Sequence, residues 1–283
     1  MVHMDNFKGR KLVIASMHHK EVVMAPILEK ELGVHCCLAE GFDTDILGTF
    51  SGEIPRSADA LITARQKCTM AMDQTNCDLA IASEGSFGAH PSVFFANADD
   101  ELVLLVDRKN KIEILGRSIS FDTNFAGKVI YTETELWEFA DQARFPKHGL
   151  ILRASENGVL NIIKGITSPA ALLKAFYHFK LLGDSMFIET DMRALYNPSR
   201  MTVIGTATHK LVQNATSLCP TCAMPGFVVT DVRIGLPCSC CGAATNSVVS
   251  HLYQCKYCRF TCEDMYPHQK KSEDPGFCNY CNP

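Results

Sequence analysis

The sequence predicts an α/β domain with a mixed sheet flanked by helices, followed by a small C-terminal zinc-ribbon domain. Over the first 214 residues, short apolar runs typical of strands alternate with longer segments of helical periodicity. The last 69 residues instead carry cysteines in C-x-x-C pairs and few large aliphatic side chains. We therefore expect a ligand-binding or catalytic domain over residues 1–214 and a double zinc-ribbon domain over residues 215–283.

Seven apolar runs have the length and composition of strands. They cover residues 11–16, 34–39, 77–83, 101–107, 111–118, 148–155 and 185–189. The run ELVLLVD at 101–107 is almost entirely apolar, as expected of a strand that is buried on both faces. The polar segment RKNK then predicts a turn into the next run, so these two strands form a hairpin and the sheet is mixed.

Five segments predict helices. They cover residues 20–32, 57–74, 133–143, 170–182 and the stretch after residue 200. Ser57 is the expected N-cap of the second helix, and Thr132 with Glu135 fits a capping box at the start of the third. Ser168 and Pro169 open the fourth helix, because proline is well accommodated in a first helical turn.

The composition indicates a soluble globular protein. Apolar residues make up 47% of the chain and charged residues 20%, and the formal net charge is −4. A negative net charge argues against a dedicated nucleic-acid-binding protein. No apolar run approaches the roughly 18 residues that cross a bilayer, and the N-terminus lacks a signal-peptide core. We expect a cytoplasmic protein that does not contact membranes.

The cysteines are concentrated at the C-terminus, where ten of the 14 lie in the last 67 residues. In a reducing compartment, C-x-x-C pairs are typical of metal ligands rather than of a disulfide framework. Two structural zinc ions, each bound by four thiolates, are therefore the predicted cofactors. The predicted ligands are Cys219, Cys222, Cys238, Cys241, Cys255, Cys258, Cys278 and Cys281.

Spacing predicts that consecutive knuckles share an ion. Cys222 and Cys238 are separated by 15 residues, and Cys258 and Cys278 by 19, which matches the C-x2-C-x15–20-C-x2-C pattern. The alternative is a cross-braced arrangement, in which the first and third knuckles bind one ion. Cys240 does not fit the knuckle spacing within CSCC, so it is not expected to bind metal.

The charge of the tail indicates its partners. From residue 217 onward, five basic residues balance five acidic residues, and each zinc ion with four thiolates adds a charge of −2. The folded tail is therefore expected to be negative, which disfavours phosphate neutralisation on nucleic acid. A stabilising role, or contact with a protein partner, is the favoured interpretation.

Three polar clusters lie beside predicted strands or in a long loop, where α/β sheets bind ligands. They are SMHHKE at 16–21, FDTDILGTFSGEIPR at 42–56 and ASEGSFGAHPS at 82–92. A carboxylate in a glycine-rich strand exit can hold Mg²⁺ while backbone N–H groups meet phosphate. We therefore expect a cleft that binds a nucleotide or another phosphorylated small molecule.

If the protein is an enzyme, Mg²⁺-assisted hydrolysis of a phosphoanhydride is the expected reaction. The candidate catalytic residues are Glu84, Asp43, Asp45 and Lys20. The candidate phosphate contacts are Arg56, Lys67 and Ser86. In a further cluster at 189–200, Asp191 and Arg193 form either a structural ion pair or a ligand contact. The alternative function is a non-catalytic zinc-ribbon adaptor that interacts with other proteins.

The chain resembles a bacterial family of unknown function over nearly its full length. The matching segments are HHKE, DTDILGTFSGEIPR, ASEGSFGAHP, ETDMRALYNPSRM, LCPTCAMPGF, GLPCSCCGAAT and DPGFCNYCNP. This resemblance implies no activity, but it supports Cys238 and Cys241 as the paired positions and Cys240 as a variable one.

The first half is also distantly similar to the inosine/xanthosine triphosphate pyrophosphatases. Lys20, a helix that carries Ala64 and Lys67, and the turn SEGSFG with Glu84 occur in the same order as in those enzymes. The chain departs from that pattern because the helix segment ALITA lacks the acidic pair that holds Mg²⁺. The resemblance implies a nucleotide phosphoanhydride as substrate.

Overall fold

The computed structural model describes residues 6–39, 41, 59–90, 92–93, 95–156 and 159–283. The chain forms two compact units. The larger unit contains Gly9–Lys111 and Leu115–Val212, and the smaller contains Gln213–Pro283 with Ile112–Ile114 and residues 6–8. Within the described residues, no helix is both long enough and apolar enough to cross a membrane.

A five-stranded mixed sheet confirms the predicted α/β class. Its strands are β1 (Lys11–Ala15), β2 (His35–Leu38), β3 (Leu79–Ala89), β4 (Asn97–Asp107) and β5 (Ile112–Ser120), in the order β2-β1-β3-β4-β5. The first three neighbours are parallel, whereas β4 runs antiparallel to β3. The last pair between β1 and β3 joins Ala15 to Ala82, so the β3–β4 hairpin extends beyond the end of β1.

Two helices connect the parallel strands. The first, α1 (Glu21–Leu32), follows β1, and α2 (Ala60–Thr75) precedes β3. Because β2 and β3 flank β1 on opposite sides, right-handed connections place the two helices on opposite faces of the sheet. The gap between the carboxyl ends of β1 and β3 is therefore a topological switch point, where α/β proteins commonly bind ligands.

The start of α2 differs from the prediction. The N-cap is Asp59, whose side chain accepts a hydrogen bond from the Leu61 N–H at 2.7 Å. Ser57 was therefore the wrong N-cap, since two good capping residues lie close together in the sequence. The helix packs Cys68 and Met72 into the core on one face of the sheet.

The last helix of the larger unit, α5 (Pro198–Thr216), lies against the sheet face opposite α2. Arg200 of α5 binds Glu101 of β4, and Glu101 points to the face opposite Leu104, which packs against α2. At Gly116 in β5 the helix backbone approaches closely, because a Cβ there would lie 2.2 Å from the Ala207 carbonyl oxygen.

A second sheet in the larger unit was not predicted. Its strands are β6 (Gly127–Ile130), β7 (Leu150–Glu156), β8 (Val159–Ile166) and β9 (Met186–Thr190), in the order β6-β9-β7-β8. Two helices, α3 (Glu133–Gln142) and α4 (Pro169–Lys180), pack on it through a core that includes Phe139, Phe176 and Phe179. The capping box of Thr132 with Glu135 is confirmed.

The smaller unit contains a three-stranded antiparallel sheet. Its strands are β10 (Val229–Ile234), β11 (Val248–Gln254) and β12 (Thr261–Met265), paired in chain order. Each strand therefore runs antiparallel to the strand before it, and the chain alternates between the two ends of the sheet. Most side chains of β10 and β12 are exposed, so this sheet supplies little hydrophobic core of its own.

Replacing Gly116 by alanine is expected to lower the free energy of unfolding by about 3 kcal/mol, because the new methyl group meets the α5 backbone. Urea denaturation measures the change. Gly183→Ala is the matched control, since a Cβ at Gly183 meets nothing within 4 Å. Equal stability of the two variants would contradict the close packing of β5 against α5.

Candidate functional site

Two groups of four cysteines in the smaller unit can each hold a metal ion. One contains Cys219, Cys222, Cys255 and Cys258, and the other contains Cys238, Cys241, Cys278 and Cys281. Between cysteines of the two facing knuckles, the Sγ–Sγ distances are 3.7 and 3.6 Å in the first tetrad and 3.9 and 3.6 Å in the second. A tetrahedral ion with bonds of about 2.3 Å separates its ligands by about 3.8 Å, whereas the atoms of a disulfide lie about 2.05 Å apart.

The four C-x-x-C knuckles share one backbone geometry. In each, the residue directly after the second cysteine donates its N–H to the carbonyl of the first, at 2.8 to 3.0 Å. These donors are Ala223, Gly242, Arg259 and Asn282. The first three of them have positive φ angles of 56°, 72° and 65°. The knuckle turn therefore recurs with different residues at its left-handed position, of which only one is glycine.

The predicted pairing of consecutive knuckles is wrong, and the cross-braced alternative is observed. The first and third knuckles form one tetrad, and the second and fourth form the other. The antiparallel meander explains this arrangement, because each strand carries the chain to the opposite end of the sheet. The third knuckle follows β11 at Gln254, and β11 ends beside the start of β10, where Val229 pairs with Tyr253.

Cys240 and Cys262 belong to neither tetrad, as predicted for Cys240. Both side chains are exposed. The backbone N–H of Cys240 nevertheless donates to the Cys238 sulfur at 3.4 Å, so this residue shapes the knuckle through its backbone alone. His251 and His268 contact each other edge to face and are not part of either tetrad.

The larger unit contains a cluster of buried charged side chains at the switch point between β1 and β3. Lys20 immediately precedes α1 and is 6% exposed, and its Nζ donates to the Ser83 hydroxyl and to the Ser83 carbonyl oxygen, both at 2.9 Å. Burial, reinforced by the positive charge of Arg200, lowers the pKa of Lys20 to about 7. A lysine of this kind is only partly charged at neutral pH.

A second buried lysine approaches the same strand from the other face of the sheet. Lys67 of α2 places its Nζ 2.5 Å from Oε1 of Glu84, and both side chains are largely buried. This contact pairs the negative charge of the carboxylate with the positive charge of a lysine. A metal ion that used the same Glu84 oxygen would have to displace Lys67.

A third buried cation, Arg200, lies on the Lys20 side of the sheet. Its Nε donates to Glu101 Oε1 at 2.5 Å, and its Nη1 donates to the Met192 carbonyl oxygen at 2.5 Å. Both Arg200 and Glu101 are fully buried. Removing either partner would leave the other charge buried and uncompensated, which typically costs about 3–5 kcal/mol.

Two residues of β3, Gly85 and Phe87, lie against the Arg200 side chain. A Cβ on Gly85 would lie 2.2 Å from Glu101 Oε1 and 2.9 Å from Arg200 Nη2, so the ion pair occupies the space that a side chain would need. Two residues further on, the Phe87 ring lies under the guanidinium group, with 5.2 Å between the ring centroid and Cζ. Gly85, the first glycine of SEGSFG, therefore leaves space for the ion pair.

Asp99 adds a second carboxyl group beside Glu101. It lies on β4 directly opposite Phe87 and is 1% exposed. Burial and the neighbouring Glu101 charge raise the pKa of Asp99 to about 8, although Arg200 opposes the shift. Its neighbour Glu101 is paired with arginine.

The predicted residues of the α/β cleft are only partly brought together. Lys20 and the Lys67–Glu84 pair interact electrostatically from opposite faces of the sheet near the end of β1, whereas Ser86 is exposed on β3. Asp43, Asp45 and Arg56 lie outside the described residues.

Sequence reasoning missed Ser83, Asp99 and Glu101 as members of the cluster. The signal for Asp99 and Glu101 was their position directly before the apolar residues of β4. The strand continues through both of them, so their side chains belong to the sheet.

The polar cluster that follows β9 is a structural network. Asp191 is fully buried, and its carboxylate accepts hydrogen bonds from the Arg193 side chain at 3.0 and 2.6 Å. It also accepts one from the Gly165 N–H at 3.1 Å. Asn197 accepts from the Arg200 N–H and donates to Asn124. These bonds fix the segment between β9 and α5, from which Arg200 enters the charge cluster.

Comparison with known families gives one result. Residues 67–283 match the model of a family described as "Domain of unknown function (DUF6671)". The match spans 217 of the 283 residues and includes Lys67, Glu84, Arg200 and all eight tetrad cysteines. No curated protein matches the sequence.

The cross-braced pairing predicts which thiols become reactive when one ligand is lost. In the metal-loaded chain, Cys222→Ser should expose Cys219, Cys255 and Cys258 to alkylation by iodoacetamide and leave the second tetrad protected. Peptide mass mapping identifies the modified cysteines. Cys240→Ser is the control and should change neither metal content nor protection. Alkylation of Cys238 and Cys241 in the Cys222→Ser chain would instead support consecutive pairing.

Proposed function

The chain belongs to the DUF6671 family, whose description states no activity, and we propose its function from physical arguments. We propose that the smaller unit binds two structural zinc ions. The larger unit binds a phosphate-bearing small molecule at the switch point between β1 and β3. The observation that carries the ligand proposal is the convergence of Lys20, Lys67 and Arg200 at this edge of the sheet.

The charge balance of the cluster supports an anionic ligand. Lys20, Lys67 and Arg200 carry up to three positive charges, and Glu84 and Glu101 compensate two of them when Asp99 is neutral. Burying an excess of positive charge is unfavourable. An anion bound at this position would compensate that charge and would be stabilised by electrostatic attraction.

Hydrogen-bonding capacity at the end of β1 points the same way. The Ser16 hydroxyl is buried, and it has no hydrogen-bond partner within the part of the chain that the structure describes. Lys20 follows it four residues later, at the start of α1. Hydroxyl and ammonium groups are donors that phosphate oxygens accept from, and each phosphate oxygen can accept several hydrogen bonds.

Zinc is the proposed metal because all eight candidate ligands are cysteine sulfurs in two sets of four, which is the ligand set of structural zinc sites. Metal analysis of the purified chain should return about two zinc ions per chain. Cys241→Ser should lower this value to about one, since its tetrad loses a ligand. A content of two in this variant, or another metal in the native protein, would contradict the proposal.

Hydrolysis of a phosphoanhydride with Mg²⁺ stays a prediction from the sequence. Glu84 is engaged by Lys67, and the described residues offer no group of three carboxylates or histidines that could hold an ion. Asp43 and Asp45, the other candidate Mg²⁺ ligands, lie outside the described residues, so the proposal is limited to ligand binding. The non-catalytic adaptor function also stays an alternative. It would be favoured if the protein bound no phosphorylated compound.

Lys20→Met should weaken ligand binding by roughly 10- to 100-fold, because a charge-assisted hydrogen bond contributes about 1.5–3 kcal/mol. Isothermal titration calorimetry with inorganic pyrophosphate and nucleoside triphosphates measures the loss. Lys30→Met, which removes an exposed lysine of α1, is the matched control and should bind like the native chain.

The pH dependence gives an independent check of Lys20. Its pKa is about 7 in the free protein, and a bound anion would raise it, so affinity should be highest below pH 7 and fall as Lys20 loses its proton. Equal affinity of the native and Lys20→Met chains over this range would contradict the proposed site.

A further inference from the structure

The carboxyl groups of Asp99 and Glu101 form a buried pair with too few donors. They lie two residues apart on the same face of β4, within hydrogen-bonding reach of each other, and are 1% and 0% exposed. Asp99 Oδ1 and Glu101 Oε2 accept no hydrogen bond from any residue that the structure describes. Buried carboxylate oxygens normally have donors, so these two oxygens need an explanation.

The charges around Asp99 do not compensate a second carboxylate. On its own strand, Asp99 interacts electrostatically with Glu101 on the same face and with Asp100 on the opposite face, and both are acidic. From α5 it faces Arg200, whose Nε is already bound to Glu101. Asp100 has its own partner, since Arg117 of β5 contacts it through two hydrogen bonds. From the start of α1, the positive charge of Lys20 acts on Glu101. An ionised Asp99 would therefore place a second negative charge beside a carboxylate that already has an arginine partner.

We infer that Asp99 and Glu101 share one proton at neutral pH, with the Asp99 hydroxyl donating to Glu101. One proton then satisfies an otherwise donor-less pair of oxygens, and one net negative charge faces Arg200. The raised pKa of Asp99 agrees with this arrangement. The shared proton does not depend on a ligand, so it stands or falls separately from the proposed function.

The shared proton makes the cluster sensitive to alkaline pH. The folded chain holds this proton up to about pH 8, whereas an unfolded aspartate releases it near pH 3.9. The folded state thus binds more protons between these values, and stability falls as pH rises through this window. Once the proton is lost, a second negative charge lies beside Arg200, and the positive excess of the cluster is reduced.

Proton release on unfolding tests the inference. In urea at about pH 6, unfolding of the Asp99→Asn chain should release about one proton fewer than unfolding of the native chain. Lys20 does not contribute to the difference, since below pH 7 it is mainly charged in both states. Asp100→Asn is the matched control and should release as many protons as the native chain. Equal release by the Asp99→Asn and native chains would overturn the inference.

A measurement on the native sequence covers the case in which Asp99→Asn does not fold. In full-length protein labelled with ¹³C-aspartate, one side-chain carboxyl carbon should titrate near pH 8, and Asp100→Asn should retain that signal. If every aspartate carbon titrates in the acid range expected of ordinary carboxyl groups, the shared proton does not exist.

Discussion

The buried guanidinium group of Arg200 is the interaction on which the larger unit depends. It binds the Glu101 carboxylate of β4, the Met192 carbonyl oxygen of the segment after β9, and the face of the Phe87 ring. One side chain of α5 thus connects the five-stranded sheet to the segment that leaves the four-stranded sheet. Because an arginine cannot be neutralised by losing its proton, each of these partners must be in place when the chain folds.

The residues around Arg200 accommodate both the charge and the size of its side chain. Gly85 leaves the space that the ion pair fills, and the Asp191 network holds the segment from which α5 begins. Burial and the positive charge of Arg200 lower the pKa of Lys20, and the same charge opposes the rise in the pKa of Asp99 that burial and Glu101 cause. Arg200 therefore influences both of the groups at the switch point whose pKa values are shifted. In the smaller unit, the two cysteine tetrads bring together segments that are distant in the chain.

Local features were predictable from the sequence, and long-range pairings were not. The strands of the five-stranded sheet, the hairpin after ELVLLVD, the capping box of α3 and the cysteines of the tetrads all depend on residues close together in the chain. The pairing of the tetrads depends on how an antiparallel meander returns to its starting end, which spacing alone does not encode. Likewise, Glu101 is buried only because Arg200 reaches it from 99 residues away.

The most direct test of the proposed ligand site is a crystal structure of the full chain soaked in tungstate, a phosphate analogue that is located by anomalous scattering. The charge cluster predicts an ion at the carboxyl ends of β1 and β3, within hydrogen-bonding distance of Lys20 Nζ or of the Ser16 hydroxyl. Tungstate bound only at exposed lysines, with this edge of the sheet empty at saturating concentration, would contradict the proposed site.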